Sequence, residues 1–270
     1  MSPAAGVVVD GIDVSLPISP LVKERLLDAF RRHHVLVFRN QTLNREQQFL
    51  FIANFGEVER SRAANKRYGV AHVISNLGGD GKPVDRSASA VSNYNWHTDK
   101  PYYREPPMMT ALYAVEMPLH GGDTEFANTV MAHSALAPDV KRRIAGLRVA
   151  FYWGAGQSRS EEQARADTGI EDAVDHPLVR THPETGAKAL YLGNHASHIL
   201  GWSIAEGRAL LDQLLAHATQ PQFVYAHRWR VGDLIMWDNR CLLHRAVANY
   251  EMGKYRRILH RSVVRGSVPV

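Results

Sequence analysis

The nine residues from Asn93 to Pro101, NYNWHTDKP, set a histidine and an aspartate two positions apart among aromatic and amide side chains. On an extended segment residues i and i+2 project to one face, so His97 and Asp99 point the same way and Thr98 turns aside. Two ligands placed like this can grip one ion. Mononuclear non-haem Fe(II) sites that activate dioxygen use two histidines and one carboxylate, which leaves three positions of an octahedron open. A zinc hydrolase can rest on the same donors. In both cases the fold has to bring a second histidine from elsewhere to this segment.

The candidate is His244, in LIMWDNRCLLHRAV (234–247), just after a run that reads as a strand. The chain has 14 histidines, so number alone decides nothing and spacing has to carry the argument. Cys241 is the single cysteine, which excludes an intrachain disulfide and any multi-thiolate metal site. A metal here would rest on nitrogen and oxygen. Cys241 itself reads as a small buried apolar residue, because thiolate does not suit that donor set.

Outward from these segments, the pattern is mainly β with flanking helices. Ser19-Pro20 supplies a cap and a first-turn proline for a helix with Leu21, Val22, Leu26, Leu27 and Phe30 at helical spacing, and VLVFRN (35–40) follows as a buried strand. A second helix is expected from Arg45 to about Asn54, with Asn44 as cap, Gln47 in the capping-box position and Gly56 beyond its end. Residues 57–92 read as loop and short strand, and 153–176 as a second loop able to cover a site. The run 108–118 is β-rich and closes in the turn LHGGD, while 133–147 reads as helical. Residues 176–193 form a hairpin turning through Pro183-Glu184-Thr185-Gly186. Ser203 and Glu206 box a helix over 203–219, and strands return at 227–239 and 255–266. No internal repeat is present, and many short strands favour a β-sandwich or jelly roll over a parallel sheet.

With 270 residues and 45% hydrophobic content, the chain suits one domain over 1–270. The net charge of +5 is scattered, with no basic run, which argues against nucleic acid and fits a small anionic partner. No apolar run reaches the roughly 18 residues of a membrane span, and the start MSPAAGVVVDGIDV lacks signal-peptide features, so a cytoplasmic protein away from membranes is expected. In RRILHRSV (256–263), Arg257 and Arg261 share one strand face while Arg256 and His260 share the other. Arginines turned into a barrel-like interior are costly unless each meets an anion. The same pattern also suits a strand with one face in solvent.

The ordered motifs WHTD (96–99), GGDTEFAN (121–128), WDNRCLLHRA (237–246) and RRILHR (256–261) resemble those of the 2-oxoglutarate-dependent Fe(II) dioxygenases of the taurine dioxygenase and 2,4-dichlorophenoxyacetate dioxygenase family. The likeness spans nearly the whole chain and is closest to the aryloxyacetate branch through PLVRTH (177–182) and residues 195–245. It implies a double-stranded β-helix, the cupin-like jelly roll. It implies His97, Asp99 and His244 as iron ligands, and Thr124 and Arg257 on the distal carboxylate of 2-oxoglutarate, with Trp237 near the co-substrate or simply in the core. Arg261 would face the acidic group of the substrate, with Asn93 beside it. Fe(II), 2-oxoglutarate and O2 are then required, with ascorbate as reductant in vitro, and succinate and carbon dioxide are released.

By the same resemblance the substrate is a small organic anion, an aryloxyalkanoate cleaved to a phenol and an oxo acid, or alternatively a taurine-like sulfonate or an alkyl sulfate. A homo-oligomer, dimer or tetramer, is expected. Outside the family, the remaining readings are a zinc hydrolase and a non-catalytic metal-binding jelly roll. Lys100, Tyr102, Tyr103 and Arg104 depart from the smaller, less basic residues of the aryloxyacetate enzymes, which makes Lys100 a candidate substrate contact. His195 and His198, in NHASH (194–198), carry no assigned role.

Overall fold

Every residue of Val35–Phe38 is buried, and the strand's surroundings explain why. In the computed structural model, which describes residues 3–59, 72–85, 92–155 and 173–270, this strand lies inside a sheet covered on both faces. The N-terminal part runs β1 (Val7–Val8), α1 (Pro20–His33), β2 (Val35–Phe38), α2 (Arg45–Ile52), β3 (His72–Ser75), β4 (Met109–Glu116) and β5 (Thr124–Asn128). Then come α3 (Thr129–Ala135), α4 (Pro138–Ile144), β6 (Arg148–Phe151), β7 (Val174–Pro177), β8 (Val179–Thr181), β9 (Lys188–Leu190) and β10 (Ala196–Ile199). The C-terminal part is α5 (Ile204–Ala218), β11 (Val224–His227), β12 (Leu234–Asp238), β13 (Leu242–Ala246) and β14 (Ile258–Val264). The protein is thus mainly β, with several sheets and flanking helices.

The largest sheet has the order β1-β2-β12-β4-β14-β3, and a three-stranded sheet, β11-β5-β13, packs with it. Alternation along the strands sorts the core. Leu36, Phe38, Leu234, Met236, Ala111 and Tyr113 pack with Leu26 and Phe30 of α1 and with Phe51 and Ile52 of α2. Val35, Val37, Ile235, Trp237, Leu112 and Leu259 turn the other way, onto Phe126 of β5 and Leu242 of β13. A continuous apolar run is therefore what a strand buried on both faces needs. A third core joins α5, through Leu210, Leu211 and Leu214, to Val149, Phe151, Leu190 and Ile199.

Local chemistry matches the sequence at several ends. Ser19 Oγ accepts from Val22 N at the start of α1, Asn44 and Gln47 form both halves of a capping box on α2, and Ser203 caps α5. Strands β8 and β9 pair antiparallel on either side of the Pro183–Gly186 turn.

Other elements differ from expectation. The helix expected over 133–147 is two, α3 and α4, because Pro138 cannot continue the first and instead opens the second. His176 and Pro177 belong to β7, which pairs with β6, so the hairpin begins only at Val179. His97 and Asp99 are not on a strand; His97 makes a single antiparallel bridge to His244. Of the two loops expected to cover a site, residues 60–71, 86–91 and 156–172 lie outside the described residues.

Candidate active site

Strand β13 delivers His244 to His97 through the backbone. His97 N donates to His244 O at 3.0 Å and His244 N to His97 O at 2.7 Å, which brings the ring centroids to 4.2 Å. The side chain of His244 is walled by Trp237 at 4.8 Å and Phe126 at 6.2 Å. Thr98 is turned aside, its Oγ1 donating to Asn239 O at 2.9 Å, so His97 and Asp99 still face the same way. Ligand atoms of His97, Asp99 and His244 all lie within 4.8 Å of one another, and all three residues are buried.

The protonation of this cluster suits a divalent cation. Burial pushes the His244 imidazole down to about 3 and lowers His97, so both rings are neutral with lone pairs to offer. His97 Nδ1 lies 2.8 Å from Asn95 O, which assigns its proton to that nitrogen and leaves Nε2 as the donor atom. Burial alone would raise the Asp99 carboxyl, but the Arg261 guanidinium and the Thr110 hydroxyl hold it well below the usual carboxylate range. Two neutral nitrogens and one carboxylate oxygen form a donor set of the facial type.

A cavity open to solvent lies between the two sheets and runs from these donors to two arginines. Asn93, Leu112, Thr124, Trp237, Leu259, Arg257 and Arg261 line it. Strand β14 begins only at Ile258, so Arg257 lies just before the strand, yet Arg257, Leu259 and Arg261 share the cavity side as expected, while Arg256 pairs outside with Glu116 at 3.0 Å. Arg257 is buried, donates through Nε to Gly122 O at 2.9 Å, and has no ion pair among the described residues. Gly122 sits at φ +70°, and a Cβ there would come within 3.3 Å of the Arg257 side chain, so the HGGD turn needs glycine at this point.

Thr124 Oγ1 accepts twice, from Trp229 Nε1 at 3.0 Å and from Arg257 Nη2 at 3.4 Å. Its own proton therefore remains to be donated into the cavity. Arg261 Nη1 stands 3.5 Å from Asp99 Oδ1, and its Nε is buried without a partner. The site joins a metal-ligand cluster to a lobe of donors that calls for carboxylates.

The match to known proteins follows the same residues. The family model described as taurine catabolism dioxygenase TauD, TfdA family, matches residues 1–263. This chain belongs to the TauD/TfdA family. The alpha-ketoglutarate-dependent 2,4-dichlorophenoxyacetate dioxygenase of Burkholderia sp. (strain RASC) is 39% identical over 96% of this chain and 90% of its own. The alpha-ketoglutarate-dependent sulfate ester dioxygenase of Pseudomonas putida is 30% identical over 98% and 88%. The crystal structure of AAD-2 in complex with Mn(II) and N-oxalylglycine superposes with a TM-score of 0.88 at 34% identity, over 100% of this chain and 98% of that one.

Within this TauD/TfdA framework the structure also places Lys100, a candidate substrate contact, and the two histidines to which the sequence assigned no role. Lys100 is not among the cavity residues: at φ 47° it turns its ammonium onto Glu59, which neutralises it at the rim. His195 lies 6.3 Å from the His97 ring and 5.1 Å from Tyr102, and Gly154 N donates to its Nδ1 at 3.1 Å. Burial pushes His195 down to about 3, so it is a neutral ring carrying its proton on Nε2. His198 contacts Ser197.

Cys241 is buried beside His34 Nδ1, at 3.3 Å. Together with Asp238 these form a second group of possible metal ligands, but both Asp238 oxygens are already taken by Arg240 and His182. That group ties the β12–β13 turn to the β8–β9 hairpin. Trp229, Asn239 and Thr110 gave no sequence signal, because their roles depend on partners far away in the chain.

Proposed function

We propose that this protein is an Fe(II)- and 2-oxoglutarate-dependent dioxygenase that hydroxylates the carbon next to the ether oxygen of a small aryloxyalkanoate. The hydroxylated product would collapse to a phenol and an oxo acid, with succinate and carbon dioxide released. The observation that carries this reading is one cavity with three possible metal donors at one end and, at the other, a buried guanidinium with no carboxylate partner among the described residues, beside a hydroxyl with a proton to give.

His97, Asp99 and His244 are assigned as the ligands of the metal. Bound there, Fe(II) and 2-oxoglutarate supply dioxygen activation, with one oxygen atom ending in succinate and the other in the substrate. Arg257 and Thr124 are assigned to the distal carboxylate of 2-oxoglutarate, because a buried planar fork and a hydroxyl donor together match a carboxylate. Arg261 receives the acidic group of the substrate, with Asn93 at its side. Anchoring that group holds one carbon against the reacting centre, and positioning of this kind is the source of selectivity for an unselective oxidant. Trp237 packs on His244 and, with Leu112 and Leu259, gives the cavity an apolar wall beside the three donors. Lys100, held by Glu59, is assigned to the rim rather than to the substrate carboxylate.

The sheets are taken to close as a double-stranded β-helix, a cupin-like jelly roll in one domain over 1–270, and the protein to act in the cytoplasm as a dimer or tetramer. A second reading within the class, a sulfonate or sulfate-ester dioxygenase, draws support from the Pseudomonas putida relative, since Arg261 would serve either anion. A zinc hydrolase leaves Arg257 and Thr124 without a task. The test is succinate release with Fe(II), 2-oxoglutarate and ascorbate across aryloxyacetates, sulfonates and sulfate esters. Phenol release supports the first reading, and sulfite or sulfate the second. No succinate with any of them, and no visible band on adding 2-oxoglutarate to the anaerobic Fe(II) protein, would overturn both.

A further inference from the structure

Thr110 and Trp237 lie directly opposite each other where β4 pairs with β12, and so share the face turned to the metal donors. Between them and Asp99 runs a chain of hydrogen bonds whose direction is forced at each link. An indole N–H can only donate, so Trp237 Nε1, 2.9 Å away, fixes the amide oxygen of Asn239 toward itself. The amide nitrogen of Asn239 must then donate to Thr110 Oγ1, at 2.9 Å. With its oxygen so engaged, the Thr110 hydroxyl gives its one proton to Asp99 Oδ2. The other carboxylate oxygen, Oδ1, faces Arg261 Nη1.

Asn239 is held on every polar group it has. Its N–H donates to Met108 O at 2.9 Å and its carbonyl accepts from Thr98 Oγ1 at 2.9 Å, in addition to the two side-chain bonds. Thr98 separates His97 from Asp99, and Asn239 lies in the turn that leads into His244. One buried amide therefore touches the segments that carry all three donors.

We propose that Asn239 and Thr110 are positioning residues that reserve Asp99 Oδ2 for the protein and present Oδ1 alone to the metal, so that the carboxylate binds through one oxygen and leaves room for a chelating co-substrate. This rests on the reading of His97, Asp99 and His244 as the metal site. A carboxylate free to rotate would take both oxygens to the ion and fill a position that the reaction needs open. Outer partners of this kind, when removed, cost about 10- to 100-fold in metal affinity.

The experiment is a titration of the full-length, metal-free protein with Mn(II), without 2-oxoglutarate, following free Mn(II) by electron paramagnetic resonance. Thr110→Val keeps the shape and strand preference of the side chain but removes the hydroxyl, and is expected to weaken Mn(II) binding about 10- to 100-fold in a protein that still unfolds cooperatively. Thr110→Ser, which restores the hydroxyl, should return the affinity to near that of the unaltered protein. Trp237→Phe and Asn239→Ala break earlier links, and each combined with Thr110→Val should weaken binding no further than Thr110→Val alone. Should Asn239→Ala fail to fold, the pair with Trp237→Phe makes the same comparison.

Unaltered Mn(II) affinity in Thr110→Val, an affinity in Thr110→Ser as poor as in Thr110→Val, or additive losses in the double variants would overturn the relay. Absence of Mn(II) binding by the unaltered protein would instead sink the metal reading itself.

Discussion

The two ends of the cavity are unfinished in opposite senses. At one end, His97, Asp99 and His244 converge lone pairs on a common point, with both imidazoles kept neutral by burial. At the other, Arg257 and Thr124 converge donors with no carboxylate to receive them among the described residues. The first end is assembled largely by backbone, through the paired bonds of the His97–His244 bridge, and the second by side chains from Thr124 at the start of β5 and Arg257 just before β14. Each deficit is costly in isolation, because unpaired buried groups lose their hydration without recovering it. A dication at one end and a dicarboxylate reaching to the other cancel both, which is why the two ends are best understood as one site.

Removing either end separates their tasks. His97→Ala or Asp99→Ala should abolish both Mn(II) binding and succinate release, the largest effect expected, since two donors no longer make a facial set. Arg257→Ala should leave metal binding intact and raise the 2-oxoglutarate KM, with a smaller change in kcat. Hydrogen bonds to charged groups are worth about 1.5–3 kcal/mol, or roughly 10- to 100-fold. Arg261→Ala should act likewise on substrate KM while sparing 2-oxoglutarate. If Arg257→Ala bound 2-oxoglutarate normally, the contrast between the two ends would fail.

How much of this could be read from the chain follows the same division. The short-range periods carried through in facing: two residues for His97 and Asp99, and four for Arg257 and Arg261, both of which line the cavity although Arg257 lies just before β14 rather than on it. The strand supposed beneath His97 did not form, yet the facing survived because Thr98 was fastened elsewhere. His244, Thr124 and Trp237 were reached mainly through resemblance, since nothing local marks a histidine after a strand as a ligand. Trp229, Asn239, Thr110 and His195 were not legible. They act through hydrogen bonds or ring contacts with segments remote in sequence, and composition has no trace of such meetings. Lys100 is a different case: a cation beside a ligand pair suggested an anion partner, and in the structure its ammonium pairs with Glu59, a partner 41 residues earlier that the sequence does not mark.

The neutral histidines also set a pH response in the metal-free protein. Burial lowers His34, His176 and His227 and pushes His195 down to about 3. Below the ordinary value near 6.5 the unfolded chain takes up protons that these rings refuse, so stability falls as pH drops through that value toward 3. For His195 the slope approaches about 1.4 kcal/mol per pH unit within that window. Urea midpoints measured from pH 7.5 to 4.5 should decline, and His195→Gln should flatten the decline. A flat profile in the unaltered protein would mean that these rings are hydrated, and that the neutrality claimed for the metal end has lost its physical cause.

The smallest expected effect probes the arginine end most finely. Trp229 touches no proposed ligand, but its Nε1 donates to Thr124 Oγ1, and its ring packs edge-on against His227 at 4.6 Å. If that donation turns the Thr124 proton toward the co-substrate, Trp229→Phe releases the hydroxyl to rotate and costs one neutral hydrogen bond. That is about 0.5–1.5 kcal/mol, or roughly two- to tenfold in 2-oxoglutarate KM with kcat nearly unchanged. In a Thr124→Ala background the same substitution should cost almost nothing further, because there is no hydroxyl left to orient. Equal losses in both backgrounds would show that Trp229 acts through packing alone, and the arginine end would then depend on Arg257 without an oriented hydroxyl beside it.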